Sequence, residues 1–328
     1  MLKGGPVRWQ RLSTTGEVRA GVDAGVAHLV LNRPRAINAL TPAMIDDLAV
    51  QLSAWAIDDR VERVVLTGAG ERGLCSGADV RALRELALAG DPGADRFFVH
   101  EYRLNGMIAS YPKPYEARMT GITMGGGLGV SSHGSVRVVD ATSQLAMPET
   151  GIGLFPDVGM LWYLSRAGAA GTYLALTGLP IDGATAIHLG LADTWQGDGR
   201  PAPALGEEWV SECFTADGPT KILERLEGDW DTQAPGECAA VLRTRCPLSV
   251  AVTWEALRRA ATMTLEQVLA QDLVLSTYFV HQSDFAEGVR AQLVDKDRSP
   301  RWSHERVEDV TPTDVSQAFG ELRSGTQR

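Results

Sequence analysis

Residues 121–159 read GITMGGGLGVSSHGSVRVVDATSQLAMPETGIGLFPDVG, and this stretch decides the fold and the chemistry that the sequence predicts. Three consecutive glycines at 125–127 follow a short apolar run, and glycine lets the backbone approach a ligand because it carries no Cβ. Free N–H groups at a helix start can hold an anion. Glu149 and Asp157 follow among glycines and prolines, so turns rather than one helix must bring them together. The stretch therefore predicts an oxyanion donor followed by an acid/base group.

Composition bounds the class of protein. A chain of 328 residues is long enough for one large core with an appendage or for two domains. Its hydrophobic fraction of 44% and charged fraction of 22% are those of ordinary globular proteins. A net charge of −10 argues against general nucleic-acid binding, which needs concentrated Lys and Arg. The sequence contains no run of about 18 apolar residues, so no membrane span is expected.

The cysteines and the first residues favour a cytoplasmic location. The cysteines have neither C-x-x-C spacing nor the density of a disulfide scaffold, which indicates a reduced setting. They are Cys75, Cys213, Cys238 and Cys246. The opening MLKGGPVRWQ lacks the apolar region of a signal peptide, and Glu17 and Asp23 follow too soon for a transit peptide.

A strand, a glycine-rich turn and a helix occur twice along the chain. Residues 63–67 form a short apolar strand, and the glycine-rich connection 68–77 leads from it into a helix. Residues 115–127 repeat this order in outline. The connection matches G-x-G-x-x-G, but the loop continues beyond the last glycine of the motif, which disfavours a dinucleotide-binding turn. A repeated strand-turn-helix unit predicts an α/β spiral.

The rest of the chain divides into three predicted regions. Residues 1–20 are a polar lead-in without periodicity, 21–200 hold the strand-turn-helix units, and 201–328 form a helical C-terminal region. Thr264 and Gln267 form a capping box, and a last helix is predicted near 313–322. Residues 88–95 are rich in Gly, Asp and Pro and are predicted to form a loop, and the sequence leaves open whether this loop closes over a ligand.

Five segments resemble the crotonase (enoyl-CoA hydratase/isomerase) superfamily. They are LNRPRAINAL, GLCSGADV, GITMGGGLG, AMPETGIGLFPDVG and TGLPIDGATAIHLGLAD, in that order within residues 22–200. HEYRLN and the distant DFAEGVRAQLVDKDRSPRW are similar to the 3-hydroxyisobutyryl-CoA hydrolase branch and extend the resemblance over nearly the whole chain. The resemblance implies a crotonase-like spiral of ββα units with a helical C-terminal region. Members of the superfamily are often trimers or hexamers, so a homo-oligomer is a possible assembly that the sequence leaves open.

The resemblance also implies an oxyanion hole. Its two donors would be the backbone N–H groups of Ala78 and Gly126, and preorganised donors stabilise a thioester oxygen that gains negative charge. Family hydratases carry a glutamate two residues after the glycine triplet, where this chain has Gly129, and a second one at the position of Glu149. One carboxylate of the hydratase pair is missing, so hydration is disfavoured.

The implied reaction is hydrolysis of the thioester of a short branched 3-hydroxyacyl-CoA, as in valine catabolism. Glu149 and Asp157 would be the catalytic pair, and Glu101 would bind the substrate hydroxyl. Glu149 would act either as a general base on water or as a nucleophile that forms an anhydride. Asp157 would set the protonation of Glu149, orient water or protonate the departing thiolate. An enoyl-CoA hydratase, an isomerase and a non-catalytic acyl-CoA-binding protein stay as alternatives.

The resemblance places coenzyme A near the N-terminal turn and the C-terminal motif. Arg33, Arg35, Ala36 and Asn38 lie where the family contacts the nucleotide, and Lys296 would reach it from the C-terminal region. The expected partner is an acyl-CoA substrate, with no metal and no cofactor other than the coenzyme A of the substrate. Neither nucleic acid nor a membrane is an expected partner.

Overall fold

The computed structural model describes residues 9–12, 15–203, 205 and 208–321. Contacts divide the chain into two compact units. The sheet unit comprises Met1–Asp79, Val99–Ala146 and Ile181–Ala204. The helical unit comprises Val80–Phe98, Met147–Pro180 and Leu205–Arg328. The three-part division expected from the sequence stays a prediction.

Ten strands and fourteen α-helices are formed by the described residues. The strands are β1 (Gln10–Leu12), β2 (Val18–Asp23), β3 (Val26–Leu31), β4 (Arg63–Gly68), β5 (Tyr115–Arg118), β6 (Ile122–Met124), β7 (Val136–Val139), β8 (Gln144–Ala146), β9 (Ile181–Asp182) and β10 (Thr194–Trp195). The helices are α1 (Pro42–Ala56), α2 (Val80–Leu88), α3 (Gly93–Ala109), α4 (Gly126–Gly129), α5 (Met160–Leu164), α6 (Gly168–Thr177), α7 (Gly183–His188), α8 (Glu208–Cys213), α9 (Pro219–Leu226), α10 (Ala234–Arg243), α11 (Pro247–Ala260), α12 (Leu265–Phe279), α13 (Ser283–Val289) and α14 (Pro312–Ala318).

The sheet unit is built on two sheets. The larger has the order β1-β2-β3-β4-β5-β7-β10 and the smaller the order β6-β8-β9. Each neighbouring pair from β3 to β10 in the large sheet is parallel, while β1, β2 and β3 pair antiparallel. Parallel strands need crossover connections, and the chain between β3 and β4 supplies one through α1. The predicted α/β class is confirmed.

Local signals account for α1. Thr41 is its N-cap, with Oγ1 accepting a hydrogen bond from the Met44 N–H, and Pro42 occupies the first helical position. The buried residues repeat at helical spacing and face the sheet unit's core. They are Met44, Ile45, Leu48, Leu52 and Trp55.

The G-x-G-x-x-G sequence allows the backbone of the 68–77 connection to pack closely against the backbone of β6. Gly73 has φ +152° and pairs with Gly121, and Cys75 pairs with Thr123 on β6. A Cβ on Gly73 would collide with the backbone of Ile122. The connection therefore lies directly against β6 and needs glycine for that reason.

Two local expectations from the sequence are corrected. The lead-in contains β1 and the start of β2, because Val18 and Ala20 alternate with Arg19 and bury their side chains; residues 1–8, 13 and 14 lie outside the described part. The expected loop 88–95 is a turn of four residues between α2 and α3. Asp91 shortens it, since its Oδ1 accepts a hydrogen bond from the Gly93 N–H at 2.7 Å.

The helical unit contains the capping box and the last helix that the sequence predicts. Thr264 and Gln267 form the expected capping box at the start of α12. The predicted last helix near 313–322 is α14, and residue 322 of that prediction lies outside the described residues. A core cluster joins α6, α8, α9, α10 and α11 through buried apolar side chains such as Leu176, Phe214, Ile222, Leu242 and Val250. None of the helices in the described ranges combines the length and the apolar character of a membrane span.

Candidate active site

The turn after β6 presents the backbone of Gly126. Gly125 adopts φ +51° and ψ −125°, a conformation essentially restricted to glycine, and it is the N-cap of α4. The chain reverses direction there, so Gly126 is the first residue of the helix and its N–H points away from the helix's own carbonyls. Within the described residues, the Gly126 N–H has no hydrogen-bond acceptor.

Ala78 presents a second backbone N–H beside it. Leu40 and Ala78 form a parallel bridge in which the Leu40 N–H donates to Gly77 O at 2.8 Å and the Asp79 N–H donates to Leu40 O at 2.9 Å. The N–H of Ala78 therefore points to the side opposite Leu40. A Cβ on Gly126 would lie 3.4 Å from Ala78 N, so the two backbone donors are neighbours within the sheet unit.

Glu101 lies against the same turn. It is only 1% exposed on α3, and a Cβ on Gly126 would collide with its Oε1. The sequence alone left a solvated surface charge as the alternative interpretation of Glu101, and its burial rejects that alternative. The sheet unit thus brings together the predicted residues Ala78, Gly126 and Glu101.

Asn105 is a polar residue of this region that the sequence analysis missed. It lies one helical turn after Glu101, on the same face of α3, and is fully buried. Neither of its side-chain amide atoms has a hydrogen-bond partner in the described part of the chain. Its place within the HEYRLN segment was the available signal.

The residues predicted to contact coenzyme A have different surroundings. Arg33 forms ion pairs with Glu17 at 2.9 Å and Asp79 at 3.0 Å, so it fixes the turn that carries Ala78. Asn38 is fully buried; its Oδ1 accepts from the Arg33 N–H and its Nδ2 donates to three carbonyls.

The other three predicted coenzyme A contacts are accessible. Arg35 and Ala36 are exposed in the 3₁₀ turn Pro34–Ala36, and Lys296 is exposed in the helical unit. The coenzyme A assignments therefore stay predictions, carried by exposed Arg35 and Lys296 and by the backbone of Ala36 and Asn38.

Glu149 begins a 3₁₀ turn, Glu149–Ile152, that is held from two sides. Its side chain is 6% exposed. The next residue, Thr150, donates from Oγ1 to Leu176 O at 3.1 Å and accepts at its carbonyl from the Cys246 N–H at 2.9 Å. These bonds tie the turn to α6 and to the start of α11, which fixes the backbone that carries the carboxylate.

The distant DFAEGVR segment packs on the same turn. Gly153 has φ +72°, and a Cβ at this position would collide with the backbone of Asp284. A Cβ on Gly288 of α13 would likewise collide with the backbone of Ile152. The Asp284 carboxylate in turn accepts from the N–H and Oγ of Ser303 at 2.7 and 2.8 Å. The motif near the C-terminal end thus supports the backbone beside Glu149.

Gly288→Ala is expected to lower both stability and activity. The added methyl group must displace the backbone of Ile152, and overpacking of this kind costs about 1–3 kcal/mol. The free energy of unfolding is measured by urea titration and the acyl-CoA turnover by release of free thiol. Gly236→Ala on α10, where a Cβ meets nothing within 4 Å, is the matched control. Equal losses in the two variants would contradict the packing role of Gly288.

Asp157 stands at the start of a left-handed turn. It is 4% exposed, and Val158 and Gly159 follow with φ +51° and +77°. The N-cap of α5 is Gly159 with no side-chain cap, so the alternative interpretation of Asp157 as a helix cap is rejected. Behind the turn, Asp272 on α12 is fully buried and its Oδ2 accepts from the Gly159 N–H at 2.7 Å. Burial raises the pKa of Asp272 well above its ordinary value, and the nearby Asp157 raises it further.

Other chemistries find no support in the described residues. No cluster of three or more His, Cys, Asp or Glu able to hold a metal is found there. All four cysteines are buried and free. Burial raises the pKa of Cys75 to about 12, so its thiol stays protonated at neutral pH, which agrees with a packing residue rather than a nucleophile.

The fold and these groups define an acyl-CoA enzyme of one family. The family model described as "Enoyl-CoA hydratase/isomerase" matches residues 26–202 and 195–319, and the chain belongs to this family. Curated relatives include "3-hydroxyisobutyryl-CoA hydrolase, mitochondrial" from Danio rerio, 37% identical over 91% of this chain and 87% of the relative. The protein of that name from Rattus norvegicus is 36% identical over 97% and 92%.

Solved structures confirm the fold. One is a carnitinyl-CoA dehydratase from Mycobacterium thermoresistibile, with TM-score 0.89 and 43% identity over 94% of this chain and 97% of that one. Another is an enoyl-CoA hydratase from Rhodobacter sphaeroides, with TM-score 0.85 and 34% identity over 97% and 98%. The predicted crotonase-like fold and the resemblance to the hydrolase branch are confirmed.

One expectation is wrong. The cysteine usage and the first residues predicted a cytoplasmic location, but the named relatives from fish, rat and human are mitochondrial proteins. The inference from cysteine usage and from the first residues fails because free cysteines are equally compatible with any reducing compartment.

Proposed function

We propose that this protein hydrolyses 3-hydroxyisobutyryl-CoA to 3-hydroxyisobutyrate and coenzyme A. The observation that carries the proposal is identity of 35–37% over nine-tenths or more of the chain with hydrolases of that name. Within the chain, the retention of Glu149 together with Asp157 and the loss of a carboxylate at Gly129 support hydrolysis over hydration. The reaction would serve valine catabolism.

The backbone donors supply the electrostatic part of the mechanism. The N–H groups of Ala78 and Gly126 hold the thioester oxygen and stabilise the charge that develops on it. One such preorganised donor contributes about 3–4 kcal/mol to a transition state. Their adjacency in the sheet unit and the absence of described acceptors for either N–H support this role.

Glu149 drives the addition to the carbonyl carbon. It either takes a proton from water, whose oxygen forms the new C–O bond, or attacks directly and forms an anhydride that water then cleaves. In both routes the C–S bond breaks and the thiolate of coenzyme A takes up a proton. Asp157 sets the protonation of Glu149, orients the water or delivers that proton.

Glu101 binds the hydroxyl group that distinguishes the substrate from a simple acyl group. Its carboxylate is buried beside Gly126, so it reaches a short acyl chain whose thioester oxygen lies at the backbone donors. Arg35, Ala36, Asn38 and Lys296 bind the nucleotide part of coenzyme A. The proposed reaction needs no cofactor beyond the coenzyme A of its substrate.

Two substrates test the proposal. Release of free thiol from 3-hydroxyisobutyryl-CoA is followed with a thiol reagent, and isobutyryl-CoA, which lacks the hydroxyl, is the matched control. A site that hydrogen-bonds the hydroxyl is expected to prefer the first substrate by at least about tenfold in kcat/KM, because the second substrate has no hydroxyl to form that hydrogen bond. Equal kcat/KM values for the two substrates would contradict the proposed role of Glu101. The absence of thiol release from both substrates would contradict the proposed reaction.

Hydration is the second candidate function. It is favoured by the 43% identity to the carnitinyl-CoA dehydratase, which is higher than the identity to the hydrolases. Gly129 opposes it, since this buried position on α4 offers no carboxylate to share the water with Glu149.

A further inference from the structure

We propose that Asp272 is a positioning residue for Asp157, whose buried carboxyl group holds the Gly159 N–H and thereby fixes the left-handed turn that sets the Asp157 side chain. The proposal rests on the proposed function only for the consequence on turnover. The structural part involves Asp157, Val158, Gly159 and Asp272, all within the helical unit.

The turn that carries Asp157 is strained. Val158 adopts φ +51°, a left-handed conformation that a β-branched residue rarely takes, and Gly159 follows at φ +77°. A strained backbone of this kind persists only where surrounding contacts hold it, and such strain concentrates at functional sites. Something must therefore keep residues 157–159 from relaxing.

Asp272 is the holding contact on the side of α12. Its Oδ2 accepts the Gly159 N–H at 2.7 Å, and no part of Asp272 reaches solvent. A second contact lies nearby, since Phe155 packs on Phe279 of the same helix with ring centroids 5.7 Å apart. Residues 155–159 are thus attached to α12 at two points, and one of them is a buried acid.

The surroundings of Asp272 favour its neutral form. Its Oδ1 is buried and has no hydrogen-bond partner among the described residues, and within that part of the chain Asp157 is the one titratable group that acts on its charge. The neighbouring helices α5, α11 and α14 carry titratable or charged groups that are not among the causes of the raised pKa of Asp272; they are Tyr163, Glu255, Arg258, Arg259 and Asp314. Burial and the neighbouring acid Asp157 both favour the protonated form of Asp272. A neutral Asp272 accepts the Gly159 N–H without placing its own charge in this buried position.

Two variants distinguish the hydrogen-bond acceptor of Asp272 from its ability to carry a negative charge. Asp272→Leu keeps the volume and removes the acceptor, whereas Asp272→Asn keeps both shape and acceptor and cannot ionise. Circular dichroism and thermal melting verify the fold of each. Amide hydrogen exchange of the peptide that contains residues 157–160 is measured by mass spectrometry. Exchange in Asp272→Leu is expected to accelerate by at least about tenfold, and in Asp272→Asn to stay near wild type.

Kinetics give the second readout. With 3-hydroxyisobutyryl-CoA, Asp272→Leu is expected to lower kcat by about tenfold with little change in KM, because substrate binding does not involve Asp272. Asp272→Asn should retain kcat within about threefold. Wild-type exchange and wild-type kcat in folded Asp272→Leu would overturn the proposal. Faster exchange in a protein that hydrolyses no thioester would instead support the positioning role and reject the proposed reaction.

The pH dependence of stability tests the neutral carboxyl. The folded state raises the pKa of Asp272 above its ordinary value near 3.8, so its contribution to stability is present below that value and is lost as pH rises through the folded pKa. The melting temperature of Asp272→Asn should fall less than that of wild type across this range. Parallel pH profiles of the two proteins would contradict the proposal that Asp272 is neutral. This test does not depend on Asp272→Leu, so it remains valid if that variant does not fold.

Discussion

Glu149→Gln is expected to lower kcat for thiol release by about 10³-fold, which corresponds to about 4 kcal/mol of activation free energy. The amide has nearly the same shape as the carboxylate but can neither accept the proton of water nor attack the thioester carbon. The turn that carries Glu149 is held by Thr150 through its bonds to Leu176 and Cys246, so the variant should fold as wild type does.

The Glu149→Gln experiment needs a control variant that also removes one negative charge. Glu224→Gln on α9 removes one exposed carboxylate from the helical unit and is expected to keep wild-type kcat. Both variants are assayed with saturating 3-hydroxyisobutyryl-CoA after their melting temperatures have been compared. A folded Glu149→Gln protein with kcat within about threefold of wild type would show that Glu149 carries neither role assigned to it.

Gly126→Ala is expected to lower kcat by about 10²–10³-fold, as much as removal of an oxyanion donor does, because the added methyl group blocks the space beside the donors although the N–H itself remains. The new Cβ would collide with Oε1 of Glu101 and lie 3.2 Å from Leu40 Cδ1 and 3.4 Å from Ala78 N. It would therefore occupy the space beside both backbone donors. Overpacking should also lower the free energy of unfolding by about 1–3 kcal/mol.

Stability and catalysis are measured separately for Gly126→Ala. Urea titration gives the free energy of unfolding, and thiol release at a temperature well below the melting point gives kcat. Gly236→Ala serves again as the control, since its position leaves room for a Cβ. A Gly126→Ala protein that is less stable yet fully active would mean that the space beside Ala78 N is not where the thioester oxygen binds.

Local signals made part of the fold predictable. Thr41 with Pro42 starts α1 and Thr264 with Gln267 starts α12, because the side chains and backbone of a cap lie within one turn of each other. The hairpin of β2 and β3 follows from alternating residues around a short turn. The first strand was missed, since its three residues gain their structure from pairing with β2 rather than from their own pattern.

The residues of the candidate site that a sequence motif marks were predictable, and those that burial alone marks were not. Gly126, Glu149 and Asp157 stand in one stretch, and Ala78 was inferred by resemblance. Asn105 and Asp272 were missed because the feature that singles them out is burial without a complete set of partners, which depends on how distant segments pack. The ion pairs of Arg33 with Glu17 and Asp79 were not predictable, because these residues come from two segments that no local pattern relates.

We propose that this member of the enoyl-CoA hydratase/isomerase family cleaves a thioester rather than hydrating a double bond. The most direct test incubates the wild-type protein with 3-hydroxyisobutyryl-CoA and, in parallel, with crotonyl-CoA. Free thiol and the enoyl absorbance are followed separately in each reaction. Rapid thiol release from the first substrate with little loss of enoyl absorbance from the second is the predicted result. Loss of enoyl absorbance without thiol release from 3-hydroxyisobutyryl-CoA would identify a hydratase and contradict the account.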